Sequence, residues 1–206
     1  EFTYLERKEK LQLKLICIGD SLTYGYGLKR SDVWVSLLEN EYGIQVINKG
    51  INGDSTTGML ARFHQDVIEN GASHVMIMGG SNDFMMRVPL SIVCSNIATM
   101  VHQSRNHLIV PIIGIQPPTE PEMARKCWSD MVDYSEVNRD LMRYREWALR
   151  FSELFNVAVI DFYADFQRYL AQENPHEIYT DGLHLTPKGN GLMLDTIGRW
   201  VEANKK

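Results

Sequence analysis

Residues 13–22, LKLICIGDSL, decide the fold because an apolar run leads there directly into a polar turn. The run from Leu13 to Ile18 is rich in aliphatic side chains and predicts a buried strand. Gly19, Asp20 and Ser21 follow that strand at once. Since open α/β sheets bind ligands at the carboxyl ends of their strands, the sequence places the Ser21 hydroxyl where such a fold would use it.

Four further apolar runs of strand length follow, at residues 45–48, 74–78, 108–115 and 157–161. Amphipathic segments of helical length separate them, and this alternation is typical of right-handed βαβ crossovers. We therefore predict an α/β fold, a three-layer αβα sandwich with a five-stranded parallel sheet of flavodoxin-like type.

Helix signals support this architecture. The longest is a stripe with alternating spacings of four and three residues, typical of a helix facing a core: Val137, Leu141, Tyr144, Ala148, Phe151 and Phe155. Three shorter segments begin at residues that cap helices: Ser31 or Asp32, Asp54 or Ser55, and Thr186 before Pro187. The last of these opens the final helix.

Length and composition bound the class of protein. The 206 residues suffice for one full core, so we predict a single domain over residues 1–206. The net charge of −5 argues against nucleic acid and anionic membrane surfaces as partners. The longest apolar stretch, residues 108–115, is too short for an integral membrane segment. Nothing in the sequence indicates an oligomeric state.

Cysteines and histidines give no sign of a disulfide framework or a metal. The three cysteines cannot all pair, and Cys17 lies within a predicted core strand. The other histidines are scattered without ligand spacing, so we expect no metal site. Charged side chains such as Lys8, Glu9 and Lys10 interrupt any apolar signal-peptide core. We expect a cytoplasmic protein, with a removed signal peptide as the open alternative.

Asp181-Gly182-Leu183-His184 supplies the groups that a serine nucleophile needs. A serine hydroxyl requires a base to take its proton as it attacks, and His184 is the best candidate. Asp181 can hold the other ring nitrogen protonated and stabilise the imidazolium. Taken alone, the segment also fits a polar turn before a helix.

Two glycine-containing loops complete the pattern. Gly53 follows the second predicted strand, and Asn82 follows the third. By itself, each loop fits an ordinary turn. We assign Asp20 and Asp83, which flank Ser21 and Asn82, to structure, as acceptors that fix these loops.

In chain order, the segments around Ser21, Gly53, Asn82 and His184 resemble the four blocks of the GDSL family of the SGNH hydrolases. The resemblance covers nearly the whole chain and is strongest to the small bacterial branch of lysophospholipase-like and thioesterase-like enzymes. It implies a serine esterase or lipase that works through an acyl-enzyme, with Ser21, Asp181 and His184 as catalytic residues. It also implies an oxyanion hole built from the N–H groups of Ser21 and Gly53 and the side-chain amide of Asn82, without metal or cofactor.

The substrate is less determined than the chemistry. Apolar and aromatic residues close to the motifs favour a small-molecule acyl ester over a sugar: Tyr24, Tyr26, Phe84, Met85, Met86 and Tyr179. A carbohydrate O-acetyl esterase and a catalytically inactive ligand-binding module are the alternatives. Residues 116–131, a long connection with three prolines, predict either a flap over the site or a surface loop pinned by proline.

Overall fold

Five parallel strands form one sheet in the computed structural model, which describes residues 13–204. The strands are β1 (Lys14–Gly19), β2 (Gln45–Gly50), β3 (His74–Met78), β4 (Val110–Ile115) and β5 (Ala158–Asp161). Their order is β2-β1-β3-β4-β5, and every neighbouring pair is parallel. This is the flavodoxin-like order, so the predicted fold class is confirmed. The prediction about the charged residues near Lys8 lies outside the described residues.

Helices connect the strands. They are α1 (Ser21–Tyr24), α2 (Trp34–Tyr42), α3 (Thr56–Phe63), α4 (Ser81–Met85), α5 (Leu90–Asn106), α6 (Pro121–Cys127), α7 (Tyr134–Phe155), α8 (Phe162–Leu170) and α9 (Pro187–Asn204). A π-helical segment, His64–Ile68, extends α3. No helix within residues 13–204 is long and apolar enough to cross a membrane.

The side chains of β1 point alternately into two hydrophobic cores, one on each face of the sheet. Ile16 and Ile18 pack with α3, α5 and α7 on one face of the sheet. Leu15 and Cys17 pack with α2, α8 and α9 on the other face. All four are fully buried, and such burial contributes roughly 1.5–3 kcal/mol for each large aliphatic side chain. The sheet is therefore covered on both faces, which explains why its strands read as continuous apolar runs.

The fourth strand begins later than the sequence predicts. Leu108 is 92% exposed with φ near 59°, so it cannot belong to a buried strand. The N–H of Ile109 instead donates to the Ser104 carbonyl at 2.9 Å and closes the end of α5. The apolar run thus serves first as a helix terminus and only from Val110 as strand β4.

Two of the three predicted helix caps are confirmed. The Ser55 hydroxyl accepts from the Gly58 N–H, and that of Thr186 accepts from the Gly189 N–H. The prediction at Ser31 or Asp32 is wrong, because both lie in a 3-10 turn before α2. There the N–H of Trp34 donates to Asn190 Oδ1 of α9 at 2.9 Å, so a distant side chain replaces the local cap.

The ends of two further elements depart from the predictions. Five residues of the predicted stripe on α7 are buried, but Phe155, at the end of the helix, is 41% exposed. Residues 116–131 are not wholly a loop, because they contain α6. Glu120 caps this short helix through the Met123 N–H, and Pro121 is its first residue.

Candidate active site

The predicted serine, histidine and aspartate lie in one hydrogen-bonded row. Ser21 opens α1 directly after β1, and His184 lies on the loop before α9. Ser21 Oγ is 3.0 Å from His184 Nε2, and His184 Nδ1 is 2.8 Å from Asp181 Oδ2. The fold thus brings Ser21 into contact with His184, which lies 163 positions later in the chain.

Hydrogen bonds hold Asp181 as an anion. Its Oδ1 accepts from the N–H groups of Leu183 and His184 at 2.9 and 2.7 Å. Burial raises the pKa of Asp181, but the bonds from the His184 ring and from these two N–H groups lower it more strongly, to about 2. The carboxylate is therefore ionised at neutral pH.

The charge of Asp181 determines the tautomer of His184. An ionised carboxylate only accepts hydrogen bonds, so Nδ1 must carry the proton between the two side chains. In the neutral imidazole Nε2 is then unprotonated and accepts the hydrogen bond from the Ser21 hydroxyl. This is the arrangement in which histidine can act as a general base toward serine.

A close backbone contact fixes the histidine loop. Gly182 has φ near 87°, and a Cβ at this position would lie 2.4 Å from the Ala124 nitrogen of α6. Its carbonyl accepts from the Glu120 N–H at 2.8 Å. A side chain at residue 182 would push the loop of His184 away from α6.

Gly53 and Asn82, the two predicted oxyanion-hole residues besides Ser21, line the same cavity as Ser21 and His184. Gly53 has φ near 74°, a left-handed conformation that favours glycine. The Asn82 amide is already engaged: Nδ2 donates to the Asp54 carbonyl at 2.9 Å and to Asp20 Oδ2 at a longer 3.3 Å. The sequence predicts Asn82 as a donor to substrate but gives no sign of these two partners.

Arg62, on α3, ties the loop of Gly53 to the sheet. Its guanidinium donates to the Asp54 carboxylate at 2.8 Å. It also donates to the carbonyls of Lys49 and Gly19, at the ends of β2 and β1, at 2.9 and 3.0 Å. The loops that carry Gly53 and Ser21 are therefore cross-linked by one side chain that the motif analysis does not single out.

Asp20 and Asp83 act as loop acceptors, in agreement with the prediction. Asp83 is buried and accepts from the N–H and the hydroxyl of Thr56 at 2.9 and 2.7 Å. Asp20 accepts from the Leu22 N–H, from Asn82 and from Gln116. Gln116 does not belong to any predicted motif. The signal that could have found it is a polar residue directly after a buried strand, the same position that Asp20 occupies after β1.

The site opens into a cavity of about 490 Å³. Apolar side chains form much of its wall: Leu22, Tyr26, Met85, Pro117, Pro118, Trp128, Tyr134 and Leu183. Five wall residues come from the segment 116–131, which therefore borders the site instead of forming a remote surface loop. Of the six apolar and aromatic residues near the motifs that favour an acyl ester over a sugar, Tyr26 and Met85 line the cavity and the other four do not.

Two exposed aromatic rings lie beside His184. The ring centroids of Tyr26 and Trp128 are 4.3 and 5.3 Å from that of His184. Tyr26 is 42% exposed and Trp128 is 47% exposed, whereas His184 itself is only 7% exposed. The rings therefore shield the imidazole from water and present apolar surface at the entrance of the cavity.

Comparison with known proteins shows to which family the chain belongs. The sequence profile of the GDSL-like lipase/acylhydrolase family matches residues 17–192. The chain belongs to this family. An arylesterase of Vibrio mimicus is 34% identical over 203 residues, which cover 96% of this chain and 92% of that enzyme. An acetylxylan esterase of Geobacillus stearothermophilus is 24% identical over 216 residues, covering 92% of this chain and 96% of that enzyme.

Solved structures of GDSL proteins share the fold. The lipase/acylhydrolase from Enterococcus faecalis superposes with a TM-score of 0.77 at 24% identity, over 93% of this chain and 96% of the other. The family membership confirms the predicted class, a GDSL-type serine hydrolase acting on ester bonds, and with it a small-molecule ester as the type of substrate.

Proposed function

We propose that this protein hydrolyses carboxylic esters of apolar acyl groups, with Ser21 as nucleophile, His184 as general base and Asp181 as the group that orients His184. The observation that carries the proposal is the row from Asp181 through His184 to Ser21, with distances of 2.8 and 3.0 Å, whose Ser21 and His184 line a largely apolar cavity. A serine hydroxyl in this environment has both a base and an apolar surface beside it.

In the first step, Ser21 Oγ attacks the ester carbonyl carbon while its proton passes to His184 Nε2. The carbonyl oxygen becomes an oxyanion, which accepts hydrogen bonds from the Ser21 and Gly53 N–H groups and from the Asn82 amide. Collapse of this intermediate breaks the bond to the alcohol oxygen. His184 gives its proton to that oxygen, and the alcohol leaves an acyl-Ser21 enzyme.

In the second step, water attacks the acyl carbon and gives a proton to His184 Nε2. The same donors hold the second oxyanion. Its collapse returns the proton from His184 to Ser21 Oγ and releases the carboxylic acid. Asp181 stabilises the imidazolium in both steps without itself taking the proton, which its low pKa favours.

The cavity wall supports an acyl chain over a sugar. Trp128, Met85 and Pro117 offer apolar surface beside Ser21. Each methylene group removed from water on such a surface contributes about 0.8 kcal/mol. The similarity to an acetylxylan esterase supports a sugar acetate as the second candidate.

A panel of substrates separates the two candidates. We expect p-nitrophenyl butyrate and octanoate to be hydrolysed with a higher kcat/KM than acetylated xylo-oligosaccharides or the matching acyl thioester. Because only side chains and backbone groups act in the proposed steps, EDTA is expected to leave the rates unchanged. A preference for the sugar acetate would replace the acyl-chain assignment, and a rate that EDTA abolishes and zinc restores would contradict the mechanism.

Trp128→Ala is expected to lower kcat/KM for p-nitrophenyl octanoate about tenfold, the effect of losing contact with roughly two methylene groups. The acetate ester should change less than about twofold, since its chain is too short to reach the ring. Leu154→Ala is the matched control, because Leu154 is 80% exposed on α7 and does not line the cavity. Equal losses for acetate and octanoate would show that Trp128 does not bind the acyl chain.

A further inference from the structure

Gln116 is a fully buried polar side chain at the carboxyl end of β4, beside the proposed catalytic site. Its carboxamide links two of the loops that carry site residues. Nε2 donates to Asp20 Oδ2 at 2.7 Å. Oε1 accepts from both the N–H and the hydroxyl of Ser81, each at 2.8 Å. One amide thus joins the residue before Ser21 to the residue before Asn82.

The contacts require an amide at residue 116. The Asp20 carboxylate needs a donor, and the Ser81 N–H needs an acceptor. Only a side chain that offers both groups at this length satisfies the two loops at once. Leaving either partner without a hydrogen bond in this buried region lowers the stability of the folded chain.

Asp20 Oδ2 receives two side-chain donors of unequal strength. The bond from Gln116 is short, at 2.7 Å, and the bond from Asn82 is long, at 3.3 Å. Asp20 Oδ1 accepts from the Leu22 N–H at 3.0 Å. With Gln116 present, Asp20 therefore holds the Asn82 amide only weakly, and that amide can turn its hydrogen to a substrate oxyanion.

The electrostatics of Asp20 agree with this geometry. Burial raises the pKa of Asp20 to about 6, and the hydrogen bond from Gln116 is the strongest of the effects that oppose the rise. The Leu22 N–H and the charge of His184 also lower the pKa, while Asp54 raises it. Among the groups around Asp20, Gln116 thus makes the strongest hydrogen bond to the carboxylate.

We propose that Gln116 is a positioning residue for the oxyanion site: it holds Asp20 away from a close bond with Asn82 and fixes Ser81, the neighbour of Asn82. The inference rests on the proposed function, because it assumes that Asn82 donates to the oxyanion. Gln116 itself does not line the cavity.

Gln116→Met keeps the volume of the side chain and removes both of its hydrogen bonds. Asp20 Oδ2 then has Asn82 as its remaining side-chain donor, and the two are expected to close to a short bond that competes with the oxyanion. Because the oxyanion exists only in the transition state and the intermediates, kcat should fall about tenfold while KM stays within about twofold.

A double-mutant cycle with Asn82→Ala tests whether Gln116 acts through Asn82. In the Asn82→Ala background the oxyanion donor is absent, so adding Gln116→Met should lower kcat by less than about twofold. If the losses of kcat in Gln116→Met and Asn82→Ala instead multiply in the double variant, the two residues act independently and the proposal is overturned. So would a Gln116→Met enzyme with unchanged kcat.

Thr196→Val is the matched control for loss of a buried hydrogen bond. Thr196 is buried on α9 and donates to the Asp165 carboxylate at 2.7 Å, away from the cavity. Thr196→Val should lower the Tm without changing kcat, both in the parent enzyme and in Asn82→Ala. If Gln116→Met does not fold, Gln116→Asn enters the same cycle, since its amide is one methylene too short to span Asp20 and Ser81. Additive losses in that cycle would also overturn the proposal.

Failure of the proposed function gives a different result. If Ser21 is not the nucleophile, Ser21→Ala retains activity whatever the cycle shows. If Ser21→Ala is inactive and the cycle is additive, the serine mechanism stands and only the role of Gln116 is lost.

Discussion

Ser21→Ala is expected to lower kcat for p-nitrophenyl butyrate by roughly 10⁴–10⁶-fold, because a triad acts as a unit and the alanine leaves no nucleophile for the acyl group. His184→Ala should come close to the same loss, since without Nε2 no group takes the serine proton. The double variant should be no worse than the worse single variant. Steady-state kinetics on purified variants measures all three losses.

Unfolding would not explain these losses. Ser21 is a small, partly exposed side chain, so its replacement by alanine should leave the Tm within a few degrees of the parent. Asp181→Asn should cost less than Ser21→Ala, because it weakens the orientation of His184 but leaves nucleophile and base in place. Activity of Ser21→Ala within tenfold of the parent would assign the nucleophile elsewhere and remove the basis of the mechanism.

Asn82→Ala is expected to lower kcat about 10²–10³-fold, the usual effect of removing one preorganised oxyanion donor. KM should stay within a few-fold, because the oxyanion is absent from the ground state. Asn82→Asp should be worse than alanine, since an ionised carboxylate donates no hydrogen bond and repels the oxyanion. Both values come from the same steady-state assay.

Asn82 also holds a loop, so the measurement needs a control. Its Nδ2 donates to the Asp54 carbonyl, and alanine removes that bond together with the proposed donor. Asn96→Ala is a matched variant, because Asn96 Nδ2 donates to the hydroxyls of Thr56 and Thr57 and does not line the cavity. We expect Asn96→Ala to change kcat less than about threefold, because it removes hydrogen bonds to a loop but no donor to the oxyanion. Near-normal kcat in Asn82→Ala would reduce the Gly80–Asp83 region to a turn without a catalytic role.

The fold follows from local patterns that the tertiary structure leaves intact. The strand β3 begins at His74 and ends at Met78, as the apolar run predicts. The prediction succeeds because a parallel sheet is buried on both faces, so its strands consist of continuous apolar runs. Ser55 and Thr186 cap their helices through their own side chains, a contact that sequence spacing alone determines.

Failures of the fold prediction occur where a distant residue decides the local structure. The N-terminus of α2 is satisfied by Asn190, which lies 156 positions away and carries no local signal. Leu108 is apolar yet exposed, because the end of α5 needs a residue with positive φ there and this requirement overrides the hydrophobic pattern. The proline-rich stretch after β4 hid α6, although Glu120 and Pro121 form an ordinary cap and first helical residue.

The candidate site shows the same division. Ser21, Gly53, Asn82 and His184 lie directly after strands or before a helix, where side-chain type and position in the chain are enough to single them out. Arg62 could not be found in that way, because its role lies in hydrogen bonds to other loops. The position of Gln116 directly after β4 could have singled it out, but not its partners Asp20 and Ser81. Such contacts depend on how the ends of three strands meet, which only the folded chain specifies.

Labelling with a fluorophosphonate tests most directly whether Ser21 is an activated nucleophile. After reaction of the wild-type protein, mass spectrometry of the intact chain and of its peptides should find one phosphonyl adduct, on Ser21, with loss of esterase activity in proportion to labelling. Ser21→Ala should remain unlabelled, and His184→Ala should label far more slowly. An adduct on another residue, or an enzyme that hydrolyses esters at full rate without labelling at Ser21, would contradict the serine mechanism.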